Sequence, residues 1–198
     1  MPPSAAKMTG DGIVNGNRFA KYFETSFSKS FSVATLDCMG TTFVTLSREV
    51  SETTPGFWMR DGMLELWLRL LSLHLPEPTN KGEFGATIVI RNQWLLASRG
   101  YFNGCVPDGL AEACATSEGR SVVCMAIDSL LTALQCESTS LDPSTLNLLG
   151  MEGSWSKNIE RKWLIEIGHA FLDLLDSKLT CTATSTEIMP GSIPYKRV

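Results

Sequence analysis

The chain has 198 residues, of which 43% are apolar and 19% charged, and its formal net charge is −4 at neutral pH. A chain of this size and composition can bury the core of one globular domain, and a second independent domain is not expected. Because its 17 basic and 21 acidic residues form no long run of one sign, neither nucleic acid nor a membrane surface is expected as a partner.

The N-terminal segment 1–17 is rich in Pro, Ser, Gly and Asn and holds almost nothing large to bury, so it is predicted to be a disordered tail. It resembles neither a secretory signal nor a transit peptide, which favours a cytoplasmic protein. The six cysteines form no C-x-x-C pair and are therefore all expected to be free thiols. Residues 18–180 are then expected to form one helical globular domain.

Folding is predicted to start with a short amphipathic helix over 18–32, because aromatic residues recur there at spacings of three and four. Its core-facing side chains would be Phe19, Tyr22, Phe23, Phe27 and Phe31. The following segment, 33–48, is rich in β-branched threonine and valine and is predicted to hold a short extended element.

The most apolar segment predicts a helix over 60–75, which ends where two prolines prevent its continuation. Apolar residues cover nearly its whole circumference, so this helix is expected at the centre of the domain. It is shorter than the roughly 20 residues that span a bilayer. Asp61, Glu65 and Arg69 recur at intervals of four and place one charged stripe on an otherwise apolar rod.

Four further helices follow from apolar periodicity and capping signals, over about 86–99, 108–114, 117–135 and 157–178. The β-branched start of the first leaves a strand over 86–90 open. Asp142 before Pro143 predicts one more helical turn, and the Thr- and Pro-rich segment 181–198 predicts an irregular tail. The fold class predicted is mainly α: a single-domain orthogonal or irregular bundle of five to six helices around the buried helix 60–75.

Charged and polar residues within helices predicted to be buried are the main functional candidates, because an interior charge costs several kcal/mol unless it is paired. In a structural interpretation, closed pairs such as Asp61 with Arg91 or Arg99 neutralise these charges. In a functional interpretation, Asp61, Glu65 and His169 are the acid/base groups of a pocket. Its ligand-binding residues would be Trp58, Arg60, Arg91, Trp94, Arg99 and Tyr101.

Metal and covalent chemistry have weaker support. The chain has only two histidines, His74 and His169, which excludes a three-imidazole site within one chain. Glu166 and His169 have the Glu-x-x-His spacing of di-iron bundles, but the second such pair is missing. Cys105, in a Gly- and Pro-bounded loop, is the best-placed nucleophile. No nucleotide-binding loop, serine-hydrolase elbow or zincin motif occurs, and neither a cofactor nor a metal is expected.

Two functions are compatible with these patterns. The first is an internal pocket for a small apolar or anionic molecule, with cofactor-independent acid/base chemistry of isomerase, cyclase or lyase type. The alternative is a non-enzymatic interaction module of the inhibitor or immunity type, whose tail and loops contact a protein partner. The sequence leaves a protein partner and a homodimer both open. The polar residues should converge on one cavity in the first case and form structural networks in the second.

Overall fold

A computed structural model of the protein describes residues 40–78, 81–99, 104–135, 140–151, 155–185 and 189–191, without the side chains of 81–84. All of them belong to the compact unit that spans Asp37–Val198. The predicted N-terminal tail and the predicted aromatic helix over 18–32 lie outside these residues. In this part of the chain the protein is mainly helical with short strands.

Two small antiparallel sheets are described. In the first, β1 (Thr41–Val44) pairs with β2 (Phe57–Arg60), so that Thr41 lies opposite Arg60. In the second, β3 (Ser140–Leu141) pairs with β4 (Ile159–Glu160). The strand β1 lies inside the segment that the sequence predicts to be extended, whereas β2 was expected only as the approach to a helix.

The described helices all follow the strand β2. In chain order they are α1 (Asp61–Leu73), α2 (Lys81–Ala97), α3 (Leu110–Ala113), α4 (Ser117–Gln135), α5 (Pro143–Leu148) and α6 (Arg161–Leu175). Asp142 caps α5, because its carboxylate accepts hydrogen bonds from the backbone N–H groups of Ser144 and Thr145. The predicted helix start after Asp142 is therefore confirmed, although the helix runs for six residues rather than a single turn.

Two predicted helix starts are wrong, and the last helix also ends at Leu175 rather than near 178. The last helix does not begin near 157, because Ile159 is buried and pairs with Leu141 in the second sheet, and helical backbone starts only at Arg161. The second helix begins at Lys81, so no strand forms over 86–90. Its β-branched residues Thr87 and Ile90 are buried against the core, and tertiary packing of this kind overrides a weak local preference.

The core is built around α1, in which ten of 13 residues are buried. This helix packs against α2 and α4, and α4 packs against α6. The Phe171 ring of α6 lies 5.7 Å from the ring of Trp67 and 5.5 Å from that of Phe57, which joins α6 to α1 and β2. Close aromatic pairs of this geometry add to the energy of apolar burial.

Two expectations from composition concern this part of the chain. Cys105, Cys114, Cys124 and Cys181 are free thiols, while Cys38 and Cys136 lie outside the described residues. None of the described helices combines the length and the apolar character needed to cross a membrane.

Candidate functional site

Asp61 is buried at the first position of α1, and both of its carboxylate oxygens accept hydrogen bonds. The Thr42 hydroxyl donates to Oδ1 at 2.7 Å, and the backbone N–H of Gly104 donates to Oδ2 at 2.6 Å. A helix N-terminus favours a negative charge in its first turn. A hydroxyl, a backbone amide and the helix end thus compensate the burial of this carboxylate.

The Asp61 network ties three separate segments together. The Thr42 hydroxyl also accepts a hydrogen bond of 2.8 Å from the backbone N–H of Val106, and the Asp61 N–H donates to the Gly40 carbonyl at 2.8 Å. The loop 104–106, the strand β1 and the helix α1 therefore share one buried polar cluster. Such satisfied clusters hold a unique arrangement of backbone segments.

The two candidate tryptophans are both anchored to backbone carbonyls. The indole Nε1–H of Trp58 donates to the carbonyl of Ala183 at 3.1 Å, which fixes the start of the C-terminal segment against β2. The Nε1–H of Trp94, a fully buried ring, donates to the carbonyl of Asp108 at 3.0 Å. Both rings therefore connect elements of the fold.

The other predicted site residues differ in their exposure. Arg60, Arg99 and His169 are exposed, Arg91 is half-buried, and Glu65 is buried on α1. Over the described ranges, no ion pair joins Asp61 to Arg91 or Arg99, so the closed pairs suggested by the sequence do not form there. Tyr101 lies outside the described residues.

His74 has a structural role at the end of α1. His74 caps the C-terminus of α1, and its Nδ1 lies 3.1 Å from the Ser129 hydroxyl of α4. Desolvation lowers the pKa of the His74 imidazole, which favours its neutral form. Among the residues that the structure describes, no three His, Cys, Asp or Glu side chains group as metal ligands do.

Asp108 is a titratable group that the sequence did not single out. Desolvation raises the pKa of its carboxyl to about 7, with a smaller contribution from the charge of Glu112, while a hydrogen bond from the Leu110 N–H at 2.8 Å acts in the opposite direction. From the sequence, Pro107-Asp108-Gly109 indicates only the start of a short helix. The perturbation depends on packing that no local pattern encodes.

Cys105, the candidate nucleophile, is exposed next to this group. Desolvation raises the pKa of its thiol, and the negative charges of Asp108 and Asp61 raise it further. Because the thiolate is the nucleophilic form, these surroundings disfavour nucleophilic catalysis at Cys105.

An open, mostly apolar cleft of about 300 Å³ lies between α2 on one side and α3 with the start of α4 on the other. Gly85, Val89 and Gln93 line it on the α2 side, and Glu112 and Gly119 line it on the other. None of the predicted catalytic residues lines it.

The outer side of α2 exposes several apolar side chains. Val89 is 63% exposed, Leu96 53% and Ile88 38%, although the opposite side of the helix buries Ile90, Trp94 and Ala97. We call the surface formed by Gly85, Ile88, Val89, Asn92 and Leu96 the α2 face. The sequence signal for it was present, since Ile88, Val89 and Leu96 are apolar, but these residues were interpreted as part of a buried helix with Arg91, Asn92 and Gln93 as its polar groups.

No protein-family model, curated protein or solved structure matches this chain. The structure defines its class only as a mainly helical protein with two small sheets. Inference about function therefore starts from the Asp61 cluster, Asp108, the cleft and the α2 face.

Proposed function

We propose that the protein is a non-enzymatic interaction module that binds a protein partner through the α2 face and the adjoining cleft. The observation that carries this proposal is the exposure of Val89 and Leu96, both more than half accessible on a helix whose other side lies in the core. Covering apolar surface yields roughly 25 cal/mol per Å², so an apolar helix face is a favourable docking surface.

The shape of the surface supports the same proposal. A cleft of about 300 Å³ runs beside Val89, so an apolar side chain of a partner helix could enter it while the helix itself lies along α2. Gly85, which lines the cleft, has open space where a Cβ would stand, and this leaves room for close approach at the end of the face. An irregular bundle around α1 would be the rigid support.

The state of the polar candidates also supports binding over catalysis. The Asp61 carboxylate has both oxygens occupied by donors from its own chain, and the Trp58 and Trp94 indoles donate to backbone carbonyls. Groups engaged in this way hold the fold together, and a substrate would have to displace those bonds to reach them.

Capture from a native extract tests the proposal. The full chain as bait should retain a stoichiometric protein partner, another copy of the chain included, and Leu96→Glu should lose it because a charge cannot be buried there without cost. Leu148→Glu is the matched control, since Leu148 is 86% exposed on a different helix, α5. Equal capture by both variants, or no partner with the wild-type chain, would overturn the proposal.

A second candidate is the small-molecule acid/base enzyme, which one observation favours. Asp108 has a pKa of about 7, the range suited to proton transfer at neutral pH, and it lies near an exposed thiol. Native mass spectrometry of the protein purified from its source should then show a bound small molecule that Asp108→Asn fails to retain. A molecule-free protein would argue against this candidate.

A further inference from the structure

We infer that the occupant of the α2 face is a second copy of this chain, bound through antiparallel pairing of the two α2 helices about a two-fold axis at Asn92. This inference rests on the proposed function and names its partner. It is carried by the spacing of residues along the α2 face, by the adjoining cleft and by two charges at its border.

The spacing of apolar residues is symmetric about Asn92. Ile88 and Val89 lie one turn before Asn92, and Leu96 lies one turn after it; all four side chains are exposed. In an antiparallel pair with its axis at Asn92, Leu96 of the partner subunit lies against Ile88 and Val89, and the same contact recurs on the other side. The face is thus complementary to itself.

The cleft gives the partner's leucine a place. Val89 lines the cleft and Leu96 does not, so this surface combines an apolar cleft with an exposed leucine one turn beyond Asn92. Two-fold pairing would place Leu96 of the partner subunit at the mouth of this cleft. Leu96 of each copy would then occupy the cleft of the other copy, so the same contact would form twice across the two-fold axis.

Charges at the border of the face fit the same register. Arg99 is exposed one turn beyond Leu96, and antiparallel pairing places Arg99 of the partner subunit over Gly85. Glu112 lines the same cleft as Gly85. Within the described part of one copy, the Glu112 carboxylate makes an exposed contact of 3.6 Å with Arg48, and Arg99 lies close enough to Arg69 for their like charges to repel. Pairing would bring opposite charges together at both ends.

Asn92 on the axis would act in register selection. An asparagine amide both donates and accepts hydrogen bonds, so Asn92 can pair reciprocally with Asn92 of the partner subunit. A single polar residue in an apolar helix interface fixes register at some expense of stability. With so few residues on each side, the interface belongs to the small, weak class, and association should depend on protein concentration.

Sedimentation velocity of the full chain over a concentration series tests the inference. The wild-type chain should shift from monomer to dimer as concentration rises, and so should the control Leu148→Glu. The variants Leu96→Glu and Val89→Lys each place a charge on the apolar α2 face and should remain monomeric. Because both side chains are exposed in one copy, their circular dichroism should be unchanged. Arg99→Glu and Glu112→Arg should each weaken the dimer, and the double variant should recover it, because the pair is re-formed with opposite sign.

A wild-type chain that stays monomeric at every concentration would overturn the inference, as would a dimer that Leu96→Glu and Val89→Lys leave intact. The same experiments separate a failure of this inference from a failure of the proposed function. If the chain is monomeric but captures a different protein in a manner that depends on Leu96, the second copy is excluded and the interaction module stands. If nothing bound depends on Leu96, both fail.

Discussion

The Thr42 hydroxyl donates a hydrogen bond of 2.7 Å to the Asp61 carboxylate while it accepts one of 2.8 Å from the Val106 N–H. One oxygen atom thereby connects the strand β1, the start of α1 and the loop 104–106. Because all of these groups are shielded from water, the loss of this oxygen leaves a carboxylate oxygen and a backbone amide without their partners.

Thr42→Val should therefore destabilise the fold by about 1–3 kcal/mol, although it keeps the shape and β-branching of the side chain. Thr42→Ser, which retains the hydroxyl, is the control and should recover most of that loss. Urea denaturation of both variants measures the free energy of unfolding. If valine and serine prove equally stable at this position, the hydroxyl does not contribute as described.

Gly168 is the point where α6 meets two other helices. A Cβ added there would stand 2.6 Å from Leu131 Cδ2 and 3.1 Å from Trp67 Cη2, both in the buried core. Gly168→Ala should destabilise by roughly 1–3 kcal/mol, because overpacking exceeds the gain in helix propensity. Gly62→Ala, where a Cβ meets nothing within 4 Å, should be neutral or stabilising. Thermal melts of the two variants that shift in the same direction would contradict this difference.

The sequence predicts the helices best where apolar periodicity is strong. Helix 117–135 is predicted to within one residue of its observed bounds, and α1 lies inside the predicted 60–75. The helix α6 was predicted to start too early because Ile159 fits helical periodicity as well as a strand. Only its pairing with Leu141 decides between them, and pairing across such a distance leaves no local signal.

The candidate site was less predictable than the fold for a related reason. Asp61 was recognised as a buried charge, but its partners Thr42 and Gly104 lie 19 and 43 residues away in sequence. An arginine is the partner that the charge of Asp61 suggests. A helix N-terminus and two neutral donors stabilise the buried carboxylate equally well, but residue spacing does not predict them. The exposed side of α2 was not predicted because its apolar residues are equally compatible with a buried core and with an interface.

Arg91 gives a direct check on the absence of an ion pair with Asp61. Since the Asp61 oxygens are occupied by Thr42 and Gly104, Arg91→Met should change the free energy of unfolding by no more than about 1 kcal/mol. A pair between a buried carboxylate and this arginine would instead make the substitution cost about 3–5 kcal/mol. Chemical denaturation of Arg91→Met distinguishes the two values, and the larger would refute the assignment of the Asp61 partners.

Asp108 predicts a pH dependence of stability with a definite sign. Desolvation raises the pKa of this carboxyl from 3.8 to about 7, so the folded protein binds the proton more tightly than the unfolded chain does. The resulting stabilisation is fully present below pH 3.8 and is lost as the pH rises through about 7. Ionised Asp108 therefore weakens the fold at neutral and alkaline pH.

Asp108→Asn removes this titration and keeps a side-chain oxygen that can accept the hydrogen bond from the Leu110 N–H. Near pH 3.8 the variant and the wild-type chain should unfold with similar free energies, and above pH 7 the variant should be the more stable, with the difference growing in between. Denaturation at a series of pH values measures this difference.

Asp176→Asn provides a control of opposite sign, because the hydrogen bond from Lys178 lowers the pKa of Asp176, and its ionised form favours the fold. A difference between Asp108→Asn and wild type that does not change over this pH range would show that Asp108 does not titrate as its surroundings imply.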